Sequence, residues 1–233
     1  MKNSTIERLK NFVLDCLAPS YCLLCGNWGP WVCKKCLPTI EKVDNSVCPV
    51  CFKGAEGVVC VKCRSRVAFD ALSFPYWFDT PVVARLIHFY KYTGLRELAD
   101  FFSDSMEESI AYYPFSSQWV VVPMPLHRQK FNARGFNQAE LMARHIAEKR
   151  GLSVERRALR RVRVAEVQAS LNKKEREKNL AGVFACAGSG VAGKSVLLID
   201  DVATTLSTLN ECARTLKKAG VKFVWCVVAA RTQ

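Results

Sequence analysis

Long hydrophobic runs are missing from this sequence. No apolar stretch reaches the roughly 18 residues that a membrane-spanning helix needs, and the N-terminal candidate, Ile6 to Leu17, is interrupted by Glu7, Arg8, Lys10 and Asp15. A membrane span is excluded. A secretory leader is not expected either, because it needs an uninterrupted apolar core and a small-residue cleavage site. Histidine is scarce, at 3 residues of 233. His88 sits between apolar residues of a helical pattern and reads as core or rim, His145 reads as surface, and His127 adjoins a loop discussed below. Disorder is excluded by composition, since 50% of residues are hydrophobic and 24% charged. The length allows one full domain and a small module, or two small domains.

Cysteine, by contrast, is abundant at one end. Of 12 cysteines, eight form four C-x-x-C pairs: Cys22/Cys25, Cys33/Cys36, Cys48/Cys51 and Cys60/Cys63. A C-x-x-C turn points two thiolates at one tetrahedral ion, so the pattern predicts two structural zinc sites with closed four-thiolate shells. Without a leader the expected location is cytoplasmic, where disulfides are disfavoured. Ligand pairing can be sequential or interleaved. The internal repeat, each half being C-x-x-C, a gap of seven or eight residues and another C-x-x-C, favours sequential pairing. Eight thiolates and two dications would lower the formal charge from +13 by four, to +9, so nucleic-acid binding does not follow from basicity alone.

The composition divides the chain at residues 1–19, 20–66 and 67–233. Residues 4–18 predict a short amphipathic helix, with Ser4 and Glu7 at capping-box spacing and Pro19 as its stop. Residues 20–66 form the cysteine module, too poor in apolar residues for a core of its own, so metal supplies its folding energy. In residues 67–233 apolar runs alternate with helical periodicity. Strands are predicted at Ala71–Phe78, Trp119–Pro123, Ser195–Asp200 and Lys222–Ala230. Helices are predicted at Val82–Tyr92, Leu95–Tyr112, Asn137–Lys149 and Thr208–Ala219. The expected fold is α/β, a mostly parallel sheet flanked by helices, which binds ligands at the carboxyl ends of its strands.

Two motifs compete for a phosphate. Gly188 to Ser195 matches G-x-x-x-x-G-K-S, but that loop needs a helix directly after Lys-Ser. Here Val196-Leu-Leu-Ile199 follows and reads as a strand, so a glycine-rich turn is expected instead. The second motif runs from that strand through Asp200, Asp201, Thr204, Thr205, Leu206, Ser207 and Thr208 into a helix. Hydroxyls and backbone N–H groups at a helix N-terminus can hold a phosphate dianion, and adjacent carboxylates can accept hydrogen bonds from sugar hydroxyls. Together they describe a ribose 5-phosphate site; the plainer alternative is an ordinary N-cap.

This segment resembles the phosphoribosyl pyrophosphate (PRPP) signature of type I phosphoribosyltransferases. Val121 to Lys130, Arg134 to Gln138, Gln168, Arg176 to Leu180, Leu86 to Tyr92 and the tandem C-x-x-C module resemble the ComF family, from about residue 20 to the C-terminus. The resemblance implies a type I phosphoribosyltransferase fold with an N-terminal double zinc ribbon, PRPP bound with Mg²⁺, and a part in DNA uptake, competence or the use of DNA as nutrient, with single-stranded DNA or a DNA-uptake protein as partner. Asp200 and Asp201 would bind the ribose hydroxyls, directly or through the metal. Thr204, Thr205, Leu206, Ser207 and Thr208 would hold the 5′-phosphate, and Arg128, Lys130, Arg134 and Lys91 the pyrophosphate. The family pattern has glycine where this chain has Leu206, which implies a crowded phosphate loop with weakened PRPP binding or reduced transferase activity. A PRPP binder without catalysis and a single-stranded-DNA factor are the alternatives. The arginine-dense stretch 156–163 suits the latter but lacks aromatic stacking residues, and 172–179 suits a mobile flap.

Overall fold

Valine, leucine and isoleucine are so dense in three segments of the C-terminal part that both faces of each must be buried, as in a parallel sheet covered on both sides. The computed structural model of the protein describes residues 20–55, 57–163, 180–187 and 189–233. The elements are β1 (Ala71–Ser73), β2 (Tyr76–Trp77), α1 (Pro81–Tyr92), α2 (Leu98–Glu108), β3 (Trp119–Pro123), α3 (Arg128–Arg134), α4 (Gln138–Arg150), β4 (Ser153–Val154), β5 (Leu159–Arg161), β6 (Phe184–Cys186), β7 (Ser195–Ala203), α5 (Ser207–Lys218) and β8 (Phe223–Arg231). Six strands form one sheet in the order β1-β8-β7-β3-β4, with β2 also on β8. Every pairing in it is parallel. β5 and β6 form a separate antiparallel pair.

Side-chain alternation assigns the two faces. Val120, Val122, Val196, Leu198, Val224, Cys226 and Val228 share one core with Leu209, Cys212, Ala213 and Leu216 of α5. Val121, Leu197, Ile199 and Val227 fall on the other face and are buried too. There α2 and α4 pack together and against β3, β7 and β8. His145 is not a bystander on that side: its ring nitrogens lie 3.0 Å from Asp100 and 2.8 Å from Asp104, tying α4 to α2. His88 is exposed rather than core, its ring 4.9 Å from that of Tyr92.

The departures from the predicted elements have local causes. One strand was expected over Ala71–Phe78, but Pro75 has no N–H to give a ladder, and the segment divides into β1 and β2. The helix expected over Leu95–Tyr112 contracts to Leu98–Glu108. β4, β5, β6 and α3 carry no apolar rhythm of their own. The Walker-like stretch behaves as a turn: Lys194 N–H donates to Val191 O at 3.1 Å, Gly193 adopts φ +75°, and Ser195 opens β7. A strand directly after Lys-Ser excludes a P-loop. The predicted helix 4–18, Gln168 and the flap 172–179 lie outside the described residues.

Contacts divide the chain into two compact units, Met1–Glu41 and Lys42–Gln233. The first holds one group of four cysteines. The second holds the other group together with the sheet, and Cys48, Val59 and Cys63 belong to the α5-side core.

Candidate functional site

The cysteines fall into Cys22, Cys25, Cys33, Cys36 and Cys48, Cys51, Cys60, Cys63, the sequential pairing, with the sulfurs of each group within 4.8 Å of one another. Both groups repeat one construction. Backbone N–H groups of Cys33 and Cys60 point at the sulfurs of Cys22 and Cys48, each at 3.4 Å. Cys25 and Cys33 sulfurs are 3.8 Å apart, and Cys51 and Cys60 sulfurs 3.7 Å. Four thiolates about 2.3 Å from one tetrahedral ion stand about 3.8 Å apart, so the donor set fits zinc. Burial would raise the Cys22 thiol, but N–H donation from Cys25, Cys33 and Leu24 outweighs it and holds the group at about 6. Cys48 is likewise held at about 6 against burial. Cys36 is pushed up to about 12 by hydrogen bonds shared with Cys33 and Cys25, and Cys63 to about 12 by burial and then by Cys60 and Cys51. Four thiols this close ionise together only around a cation.

The acidic pair lies near the carboxyl end of β7. Asp200 pairs in register with Val228, and alternation turns Asp200 and Asp201 to opposite faces of the sheet. Asp201 meets α1, where Lys91 Nζ lies 3.0 Å from Oδ1, both side chains largely buried. Asp200 Oδ1 accepts the N–H of Asp201 at 2.9 Å. Burial, then the charge of Asp201, pushes the Asp200 carboxyl up to about 7, against the pull of Lys91 and Lys130. A carboxyl held this far up is under-compensated, which marks a place where a cation or a hydroxyl donor is accommodated.

Beyond Ala203 the chain leaves the sheet as a short loop, Thr204–Leu206, exposed at Thr204 and half-buried at Thr205 and Leu206, and enters the 12-residue α5. Thr232 braces the loop: its N–H donates to Ala203 O at 3.1 Å and its hydroxyl to Thr204 O at 2.8 Å. Leu206, as N-cap, gives no side-chain cap to the first turn. The Ser207 hydroxyl, on a residue 5% exposed, has no hydrogen-bond partner among the described residues. A helix N-terminus with a buried, unsatisfied hydroxyl suits an anion. Leu206 itself has φ −63° and ψ 0° and packs on the α5-side core. Its conformation requires no glycine, and its side chain is engaged in the core.

The basic residues separate into two sets. Arg134, at the end of α3, donates to Gln138 Oε1 at 3.0 Å and stacks 5.2 Å from the Tyr92 ring centroid. Gly135 then turns the chain with φ +73°, a conformation glycine adopts at no steric cost. Lys130 is exposed on α3, close enough for its charge to act on Asp200. Arg128 instead lines a cleft of about 590 Å³ with His127, Leu126, Phe131, Leu159 and the arginines 156, 157, 160, 161 and 163. Among the described residues only Arg156 of these arginines pairs with a carboxylate, Glu140 at 3.2 Å. Two participants escaped the sequence reading. Tyr90 donates its hydroxyl to Gln138 O at 2.9 Å, its phenol raised by burial and by Asp201. The buried Gln138 keeps Nε2 without a partner among the described residues. Both stand inside motifs already singled out, Leu86 to Tyr92 and Arg134 to Gln138, so the signal was present without a role attached.

Residues 132–233, which include the acidic end of β7 and the loop into α5, match the phosphoribosyl transferase domain family. Over nearly its whole length the chain is similar to curated relatives. It is 27% identical over 223 residues to DNA utilization protein YhgH of Salmonella typhi, covering 90% of this chain and 96% of that one. It is 26% identical over 197 residues to competence protein ComFC of Bacillus subtilis, covering 81% and 79%. Among solved structures, the allosteric regulatory enzyme of purine biosynthesis aligns with TM-score 0.39 and 16% identity, over 61% of this chain and 30% of that one. Among the described residues no helix is long and apolar enough to cross a membrane.

Proposed function

We propose that this protein binds PRPP, accompanied by Mg²⁺, at the carboxyl end of β7, and that it serves the use or uptake of DNA in the cytoplasm. The observation that carries the reading is the loop Thr204–Leu206 opening α5 over the orphaned Ser207 hydroxyl, beside the acidic pair. In this reading the 5′-phosphate takes the free N–H groups and hydroxyls of Thr204, Thr205, Ser207 and Thr208. Asp200 and Asp201 take the ribose hydroxyls directly or through the metal ion, which supplies neutralisation of the pyrophosphate. Lys91 releases Asp201 and, with Lys130 and Arg134, faces the pyrophosphate; Arg128 adds its charge from the neighbouring cleft. Zinc fills both cysteine groups as a structural ion. The part in DNA use or uptake is supported by the names of the relatives.

Calorimetric titration with PRPP and Mg²⁺ tests the binding. A pyrophosphate-release screen over nucleobases and amines then separates a transferase from a PRPP binder. A second reading has its own observation. The arginine cleft, with most of its guanidiniums lacking a carboxylate partner among the described residues, matches the electrostatics of a single-stranded-DNA site. Binding of a single-stranded oligonucleotide that is lost on neutralising Arg157 and Arg160, in a chain with no PRPP affinity, would favour it.

A further inference from the structure

Arg231 is the last residue of β8, yet its side chain belongs to the second cysteine group. It is 7% exposed. Its guanidinium lies between two rings, 4.8 Å from the Phe52 centroid and 5.5 Å from that of Phe74, and it donates to Pro49 O. Pro49 lies within the Cys48–Cys51 knuckle, and Phe52 follows it directly. Phe52 has φ +56°, the left-handed conformation that bulky side chains avoid, and among the described residues no other non-glycine adopts positive φ. Among the described residues no carboxylate compensates the guanidinium, and its Nε is buried without a partner. An apolar side chain of similar volume would fill this space without the desolvation cost. Packing alone therefore does not call for arginine here. What arginine adds is the grip on Pro49 and on the Phe52 ring.

The backbone of the same residue looks the other way. Arg231 pairs with Ala203, the last residue of β7, and with Trp77. Thr232, next in the chain, makes both hydrogen bonds that brace Ala203 and Thr204. Gln233 N–H then donates to Asp79 at 2.8 Å. Two consecutive residues thus span from a cysteine knuckle to the start of the loop that opens α5.

We infer that Arg231 is a positioning residue: it fixes the end of β8 to the Cys48–Cys51 knuckle, so that the order of that cysteine site sets the conformation of Thr204–Leu206. The inference rests on the phosphate-loop reading for its ligand consequence, not for its mechanical one. With the knuckle fixed by its ion, Thr232 holds the loop ready for a phosphate. With the knuckle or the guanidinium released, the loop loosens while the central sheet stays intact.

The test uses the full chain as purified, wild type beside Arg231→Met and Arg231→Lys, with three readouts: amide hydrogen exchange, bound zinc and PRPP affinity in Mg²⁺. Arg231→Met keeps the volume and removes the grip. Exchange in peptides covering 200–208 should rise about tenfold while those covering 119–123 stay protected, and the PRPP dissociation constant should rise about tenfold. Zinc should stay at two per chain but leave faster to a chelator. Arg231→Lys should recover part of each effect. Unchanged exchange at 200–208, or an equal rise at 119–123, overturns the inference. If Arg231→Met does not fold, Phe52→Leu replaces it, and a flat 200–208 profile in that variant overturns it equally. A wild type without PRPP affinity sinks the phosphate-loop reading, while the exchange comparison still decides the role of Arg231.

Discussion

At its amino end β7 follows a glycine-rich turn with a lysine, Lys194, and at its carboxyl end it delivers two aspartates to a hydroxyl-rich loop. Both ends look like phosphate motifs in the sequence. The structure treats them differently. Around the amino end aromatic rings close the sheet: Trp119 lies 5.1 Å from Phe115 and 5.7 Å from Phe223, and Trp225 4.9 Å from Tyr113. These are apolar contacts of ordinary edge-on geometry. At the carboxyl end polar groups are left short of partners: Asp200 with a raised pKa, Asp201 with one lysine, Ser207 and Gln138 with unsatisfied atoms. One end is closed mainly by aromatic rings, which stabilise the fold. The other keeps polar groups without partners among the described residues, and there the proposed ligand would sit.

Variants can break this contrast. The largest effect belongs to the closed end. Trp119→Ala should cost about 3–5 kcal/mol of stability in urea denaturation, and the fraction that remains folded should bind PRPP as before. A large loss of affinity in that folded fraction would mean the two ends are not separable. At the open end, Asp201→Asn and Thr205→Ala should each weaken PRPP binding about 10- to 100-fold, the equivalent of about 1.5–3 kcal/mol for a hydrogen bond to a charged group, with the fold retained in both.

A smaller effect is expected at Leu206. Its φ is negative and its side chain packs on the core, so Leu206→Gly removes apolar burial and adds loop entropy. Stability should fall by about 1–2 kcal/mol, with PRPP affinity flat or lower. Tighter binding would show that leucine crowds the phosphate after all.

The pH dependence follows from Asp200, raised to about 7 from an ordinary 3.8. A raised carboxyl favours the folded state while protonated. That contribution is fully present below the unfolded pKa and is lost as pH rises through about 7. Ligand-free protein should therefore lose stability between about pH 4 and 7. PRPP binding, which uses the carboxylate, should strengthen from about pH 6 to 8. Asp200→Asn should flatten the stability profile over that window. A parent profile already flat there would show that Asp200 ionises normally.

How much of this was legible in the sequence differs between the same two ends. The long strands β3, β7 and β8 were readable because both faces are apolar, and sequential cysteine pairing was favoured by the internal repeat. The Walker-like stretch could be dismissed because Val196 to Ile199 cannot be a helix. What stayed hidden depends on partners distant in sequence. Arg231 meets Pro49 across 182 positions, and no local pattern encodes that. β5 and β6 are short, and their pairing leaves no alternation to read. Leu206 differs again: the family pattern has glycine there, and the local backbone, with φ −63°, is one that any residue adopts, which no sequence pattern states.

The most direct test of the account is a titration of wild-type protein with PRPP and Mg²⁺ in a calorimeter, beside Lys194→Ala. The account predicts saturable binding at one site per chain, with the two proteins agreeing within about twofold, because Lys194 stands at the closed end of β7. No binding by the wild type, or binding that vanishes with Lys194, would contradict it.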